Sequence, residues 1–232
     1  MDTVDGERGL DNPFWASLAG RHAHFALGGA LARRYAPDIS PLAGLPAAGP
    51  ANVAALESLV EVGGDMAMTG PFVPDLPGNW QRLFESRLTQ MIRSDRSPLP
   101  EDDVDATILG VADVAEMLAL TELTKPGPFR SRTIELGTYV GVRDRQRLIA
   151  MAGERMWIGD CREVSAVCTH PDAQGRGYAR ALIAAVVNRI LRAGQTPFLH
   201  VESNNRRAID LYFALGFVKR AEFPLLYARR IG

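Results

Sequence analysis

The chain has 232 residues, 47% of them hydrophobic, enough to bury a substantial core in one large domain or two small ones. Its 26 basic side chains nearly cancel 27 acidic ones, which argues against a strong non-specific pull toward nucleic acid or an anionic membrane and leaves room only for local charged sites. Two cysteines, Cys161 and Cys168, are too few for a disulfide framework, and no CxxC or His/Cys cluster points to a metal.

The first residues, Met1-Asp2-Thr3-Val4-Asp5-Gly6-Glu7-Arg8, are polar and acidic. They carry no signal-peptide segment, and no apolar run is long enough to cross a bilayer, so a reduced, cytoplasmic compartment is expected. Asn12-Pro13 opens a predicted helix, with Asn as cap and Pro at the first helical position. Leu18, His22, Phe25, Ala26 and Leu31 continue it at helical spacing to about Tyr35. Pro37, Pro41, Pro46 and Pro50 then break regular structure. Ala51 to Glu61 predicts a second helix closed by Gly63-Gly64, and Met66 to Thr69 a short strand. Trp80 to Ile92 is apolar but ambiguous between strand and helix. Ser94 to Asp103, rich in Pro, Ser and charge, is the candidate linker.

Beyond the linker the pattern sharpens. Thr107 to Leu109 predicts a strand and Val111 to Leu123 a helix, broken by Lys125-Pro126-Gly127-Pro128. Tyr139 to Arg143 and Leu148 to Glu154 predict two strands around Asp144-Arg145-Gln146. A β-branched strand from Glu163 to Thr169 ends at His170-Pro171. A long helix, Gly177 to Arg192, follows, then a strand at Phe198 to Glu202 and a helix from Arg206 to Leu215 stopped by Gly216. Phe217 to Ala221 and Leu225 to Arg229 are the last strands. Strands alternating with helices imply an α/β protein with a mixed sheet.

The informative run is Val167-Cys168-Thr169-His170-Pro171-Asp172-Ala173-Gln174-Gly175-Arg176-Gly177-Tyr178-Ala179-Arg180. A strand ends, a glycine-containing loop turns, and a helix starts. Such a loop leaves several N–H groups aimed one way, the helix dipole adds partial positive charge, and Gly175 and Gly177 allow close backbone approach. The result suits a pyrophosphate. On the glycine pair alone, an ordinary strand–turn–helix connection is the competing reading. Neither the P-loop nor the dinucleotide-binding fingerprint is present.

Gln174-Gly175-Arg176-Gly177-Tyr178-Ala179 resembles the Arg/Gln-x-x-Gly-x-Gly/Ala loop of the GNAT superfamily of N-acetyltransferases. Downstream, Asn205-Arg206-Arg207-Ala208-Ile209-Asp210-Leu211-Tyr212 through Gly216-Phe217 resembles that family's Asn-x-x-Ala-x-x-x-Tyr…Gly-Phe segment. The resemblance covers about Val104 to Gly232. It implies a mixed, mostly antiparallel sheet with a splayed parallel strand pair flanked by helices. Residues 101–232 would form the acetyltransferase domain. Residues 1–100 would be an N-terminal α/β extension, either a degenerate second copy of the fold or a cover on the acceptor side. Asn12-Pro13-Phe14-Trp15 and Gln90-Met91 resemble, more weakly, a bacterial branch related to glycine N-acyltransferase.

The resemblance implies acetyl-CoA, or another short acyl-CoA, as cofactor and direct acyl transfer to a primary amine. By position it assigns the phosphate-binding amides to Gln174, Gly175, Arg176, Gly177, Tyr178 and Ala179, with charge from Arg176 and Arg180. It assigns the pantetheine-pairing backbone to Val167, Cys168 and Thr169, and a further cofactor contact to Asn205, which is also a candidate helix cap. Acyl transfer needs an amine stripped of its proton, a donor for the oxyanion and a proton for the departing thiolate. Tyr212 matches the family's thiolate-protonating position. Glu163 is the first candidate base, on a face shared with Ser165 and Val167 by a period-two count unless a bulge intervenes; Glu202 is the second. His170 and His200 are read as structural, and Cys168 as a small buried residue. The acceptor expected is a small-molecule amine, with no nucleic acid or membrane partner. A protein or peptide acetyltransferase and an inactive acyl-CoA-binding regulator are the alternatives, and a homodimer is left open.

Overall fold

The computed structural model describes residues 8–100 and 104–232. Residues 1–7 and the end of the expected linker, Glu101 to Asp103, lie outside the described residues. Asn12-Pro13 does open a helix, α1 (Pro13–Ala19), but it stops at Gly20 instead of running to Tyr35. A single 3-10 turn (Ala23–Phe25) follows. The short strands β1 (Ala26–Gly28), β2 (Arg33–Tyr35) and β3 (Ala43–Gly44) then form a small sheet of their own. The apolar count passed over Gly28, which turns the chain at φ +100°, where a Cβ would lie 2.3 Å from the Ala32 carbonyl oxygen. Leu18 and Phe25 share one core across the break at Gly20, not through one helix.

The expected second helix is α2 (Pro50–Leu59), and the expected short strand is β4 (Asp65–Thr69). The ambiguous segment is a strand, β5 (Trp80–Ile92). The later strands are β6 (Ala106–Leu109), β7 (Tyr139–Asp144), β8 (Arg147–Ile158), β9 (Cys161–Thr169), β10 (Thr196–Glu202) and β11 (Val218–Arg230). They form one eight-stranded sheet in the order β4-β11-β5-β10-β9-β8-β7-β6. Within it β9 and β10 run parallel and every other neighbouring pair is antiparallel. Because β5 stands between β10 and β11, the sheet crosses the sequence boundary expected at residue 100.

Two strands are longer than their sequence pattern. The segments expected on either side of Phe223-Pro224 are one strand, β11. On its far side β4 begins to pair only at Leu225, so Pro224 stands where that neighbour is absent and a missing N–H is tolerated. Strand β8 continues four residues past Glu154 because its charges there are internally matched. Glu154 pairs with Arg162 at 2.9 Å, and Arg155 with Glu163 at 2.7 Å.

Helices cover both faces of the sheet. Apolar residues Leu182, Ile183, Val186, Val187 and Ile190 of α4 (Tyr178–Arg192), with Ile209 and Tyr212 of α5 (Arg206–Ala214), pack on Ile149, Val164 and Leu199. Opposite, α1 packs on Met156 and Phe198, and α3 (Val114–Thr124) on Tyr139, Met151 and Cys168. Gly153 faces Tyr139 across β7 and β8, where a Cβ would fall 2.2 Å from the ring. The expected linker begins as irregular chain held to α4: Leu99 exchanges two hydrogen bonds with Asn188, at 2.7 and 2.9 Å.

Candidate functional site

Strands β9 and β10 pair only at Cys161–Thr196, Arg162–Pro197 and Glu163–Phe198. Beyond Glu163 they part. Among the described residues, β9 from Val164 to Thr169 pairs with β8 on one side and with no strand on the other. The backbone of Val167, Cys168 and Thr169 thus lines an open wedge in the sheet. The Thr169 hydroxyl is buried there and, among the described residues, has no hydrogen-bond partner.

At the wide end of the wedge, a 3-10 turn (Pro171–Ala173) leads into the loop before α4. His170 closes that turn by accepting from the Asp172 amide at 3.2 Å, a structural role. Gly175 and Gly177 take φ +77° and +83°, and a Cβ on either would meet no atom within 4 Å. Among the described residues, the amides of Gly175, Arg176, Gly177, Tyr178 and Ala179 donate to no acceptor. The N-terminus of a fifteen-residue helix and a concave run of amides therefore meet at one place, and open space lies in front of both glycines. Arg176 folds back onto the Asp172 carbonyl at 3.1 Å, and Gln174 accepts from Arg207 at 3.3 Å.

Beside the wedge lies a cavity of about 660 Å³ whose lining includes Tyr212, Asn205, Glu202 and His200. Asn205 caps α5 by accepting from the Ala208 amide at 3.2 Å, so its cap role and its place in the cavity wall coexist. Tyr212 is nearly buried, its ring edge-on to Phe217 at 5.9 Å. Burial pushes its phenol up to about 12, so it holds its proton at neutral pH. Glu202, at the exposed end of β10, has no ion-pair partner among the described residues.

Glu163 is placed differently from expectation. Its carboxylate is fully buried, clasped by Arg155 at 2.7 and 2.8 Å and by His200 Nδ1 at 2.8 Å. Burial alone would raise its pKa, but the Arg155 guanidinium and the His200 contact outweigh that and hold it down to about 2. A carboxylate this acidic and this fully engaged is a poor proton acceptor. The face assignment changes too. Ala166 at φ +52° forms a bulge, so Val164 and Val167 share the α4 face while Cys168 packs under α3. Val167 therefore does not share a face with Glu163. Burial pushes the Cys168 thiol up to about 11, away from any nucleophilic role.

Arg155→Leu is expected to destabilise the protein by about 3–5 kcal/mol, because it strands a buried carboxylate; urea unfolding measures it. The folded Glu163 carboxylate is more acidic than its ordinary 4.5. Its contribution is thus complete above that value and drains away as pH falls from about 4.5 toward about 2, a slope that Glu163→Gln should remove.

Sequence reasoning missed Arg155, Arg130 and Tyr227, all in the cavity wall. Arg155 lies in the part of β8 that its charges disguised, and Arg130 just past the Lys125-Pro126-Gly127-Pro128 breaker, in a stretch to which the sequence pattern assigned no element. Tyr227 was legible as a strand residue, but not the surface it faces. His200 also lines the cavity, with Nε2 3.0 Å from Gln90 Nε2.

Among the described residues no group of three or more His, Cys, Asp or Glu is placed to hold a metal, and no helix is long and apolar enough to cross a membrane. Residues 139–224 match the FR47-like protein family. Curated proteins give no match. Among solved structures, a GNAT-family protein from Novosphingobium aromaticivorans, assigned as an acetyltransferase, is 37% identical, with a TM-score of 0.86 over 95% of this chain and 98% of that one. A GCN5-related N-acetyltransferase from Kribbella flavida is 16% identical, with a TM-score of 0.60 over 99% and 96% of the two chains, a likeness of fold alone. With 37% identity along nearly its whole length to a member, with the parted parallel strands and with the open amide loop, the chain belongs to the GNAT family of N-acetyltransferases.

Proposed function

We propose that this acetyltransferase moves an acyl group from acetyl-CoA, or another short acyl-CoA, directly to the primary amine of a small molecule. The observation that carries the reading is one cavity that gathers Tyr212, Asn205 and Glu202 beside the open edge of β9. Acyl-CoA, when bound, supplies the activated thioester. The residues present fit it. The unengaged amides of Gly175 to Ala179 suit its diphosphate, with charge from Arg176 and Arg180, and the backbone of Val167 to Thr169, open on the side away from β8, suits its amide-bearing arm. Tyr212, protonated up to about pH 12, is the proton donor for the departing sulfur. Glu202 takes over the role first expected of Glu163 and receives the proton of the incoming ammonium, directly or through one water. Glu163 is a positioning residue: it fixes Arg155 and His200 in the cavity wall.

The N-terminal half acts here as a cover on the acceptor side. Phe14, Leu42, Ala67, Phe84 and Leu88 all line the cavity, while Pro126 to Arg130 line it from the segment after α3. Walls on several sides favour a compact acceptor over an extended peptide. The two segments that resemble the glycine N-acyltransferase branch also meet this site, Phe14 in the cavity wall and Gln90 on His200, and this supports that placement.

Glu202→Gln is the test of the base. Turnover is expected to fall about 100-fold at neutral pH, with the deficit shrinking as pH approaches the acceptor's own pKa and less amine needs deprotonation. A deficit that does not vary with pH, or no deficit, would remove Glu202 from the role.

A further inference from the structure

The ion pairs around the cavity leave two charges over. Glu122 is paired with Lys125, and Arg155 with Glu163. What remains in the lining is one cation, Arg130, and one carboxylate, Glu202; among the described residues neither has an ion-pair partner. Arg130 donates to the Tyr227 hydroxyl at 3.3 Å. The phenol accepts there, so its own proton is free to point outward. A guanidinium and an O–H donor side by side match a carboxylate in charge and in hydrogen-bond count.

The sheet register places the two charges at different ends of the cavity. Glu202 lies opposite Leu88 of β5, and Tyr227 opposite Phe84. Those positions are four residues apart, about 13 Å along the strand at about 3.3 Å per residue. Between them the cavity floor is apolar, with Leu88, Leu225 and Phe84 in its lining.

Resting on the reading of Glu202 as the amine end, we infer that the acceptor carries its primary amine at one end, a carboxylate at the other and an apolar stretch between. An α-amino acid has both charges on one carbon and satisfies one end only. A diamine or a Lys-rich peptide brings a second cation against Arg130 and is disfavoured.

The test compares three amines of equal chain length, ω-aminohexanoate, hexylamine and hexane diamine, as acceptors for the purified full-length enzyme with acetyl-CoA, read by thiol release. A short dipeptide and its C-terminal amide form a second arm, which separates a peptide carboxylate from that of a free amino acid. The expected order of kcat/KM is carboxylate over methyl over ammonium, with the carboxylate favoured about tenfold or more, the scale of one charged hydrogen-bonded contact. Arg130→Leu should bring aminohexanoate and hexylamine to within about twofold of each other. Arg130→Glu should favour the diamine, and Arg130→Lys should keep part of the carboxylate preference. Unfolding midpoints identify any variant that fails to fold. Equal rates for the three amines, or a preference that survives Arg130→Leu, would overturn the inference and leave the acetyltransferase reading standing. CoA binding without thiol release on any amine would overturn both.

Discussion

Tyr212→Phe should lower turnover by about 10- to 1000-fold, within the range of general acid–base groups, with only a modest change in cofactor affinity. The substitution is a clean one. The ring packs edge-on against Phe217 at 5.9 Å inside a core shared with Leu182, Ile209 and Leu215, and Phe keeps that packing. What it removes is a hydroxyl in the wall of the cavity. Burial keeps that hydroxyl protonated up to about 12, so the donor itself does not titrate between pH 6 and 9. The deficit should therefore appear in kcat, not KM, and stay level across that range. A rate equal to the wild type's at every pH would show that the sulfur leaves without help from Tyr212.

Gly177→Glu should abolish measurable binding of CoA. Gly177 sits at φ +83°, in the left-handed region, and caps α4. Any L side chain there is strained by about 1–2 kcal/mol, and Glu adds a negative charge in front of amides proposed to hold a diphosphate. Since a Cβ at this position meets nothing within 4 Å, the variant should fold. Gly177→Ala carries the strain without the charge, so calorimetric titration of both variants separates the two effects. Ala should weaken binding moderately, and Glu should take it below detection. Undiminished affinity in the Glu variant would mean that the loop is not the phosphate cradle.

Much of this site was legible in the sequence because it is built from contiguous chain. The loop from Gln174 to Ala179 and the helix bearing Asn205 and Tyr212 each carry their geometry in a short run of residue types: glycines where φ is positive, and an Asn where a helix needs a cap. The strand–helix order from β6 to α5 was equally local. What escaped depends on partners distant in the chain. Trp80 to Ile92 could not be read as a strand of the main sheet, because its neighbours β10 and β11 lie more than a hundred residues away. Glu163 looked like a free base because nothing in its own strand shows Arg155 and His200 closing on it. The bulge at Ala166 moved Val167 to the other face, and no residue type there marks it. The helix expected to reach Tyr35 failed for the opposite reason: a periodic apolar count survived across Gly20 and Gly28, which in fact turn the chain.

The parted edge of β9 and the amides after it are proposed to hold the acyl-CoA. Amide hydrogen exchange with and without CoA tests it directly, because the loop amides are unengaged in the free protein and, among the described residues, β9 there has no strand on its β10 side. Slowed exchange is expected chiefly at Gly175 through Ala179 and at those amides of Val167 through Thr169 that face away from β8. Unchanged exchange at those amides on saturation with CoA, or protection elsewhere on the sheet, would contradict it.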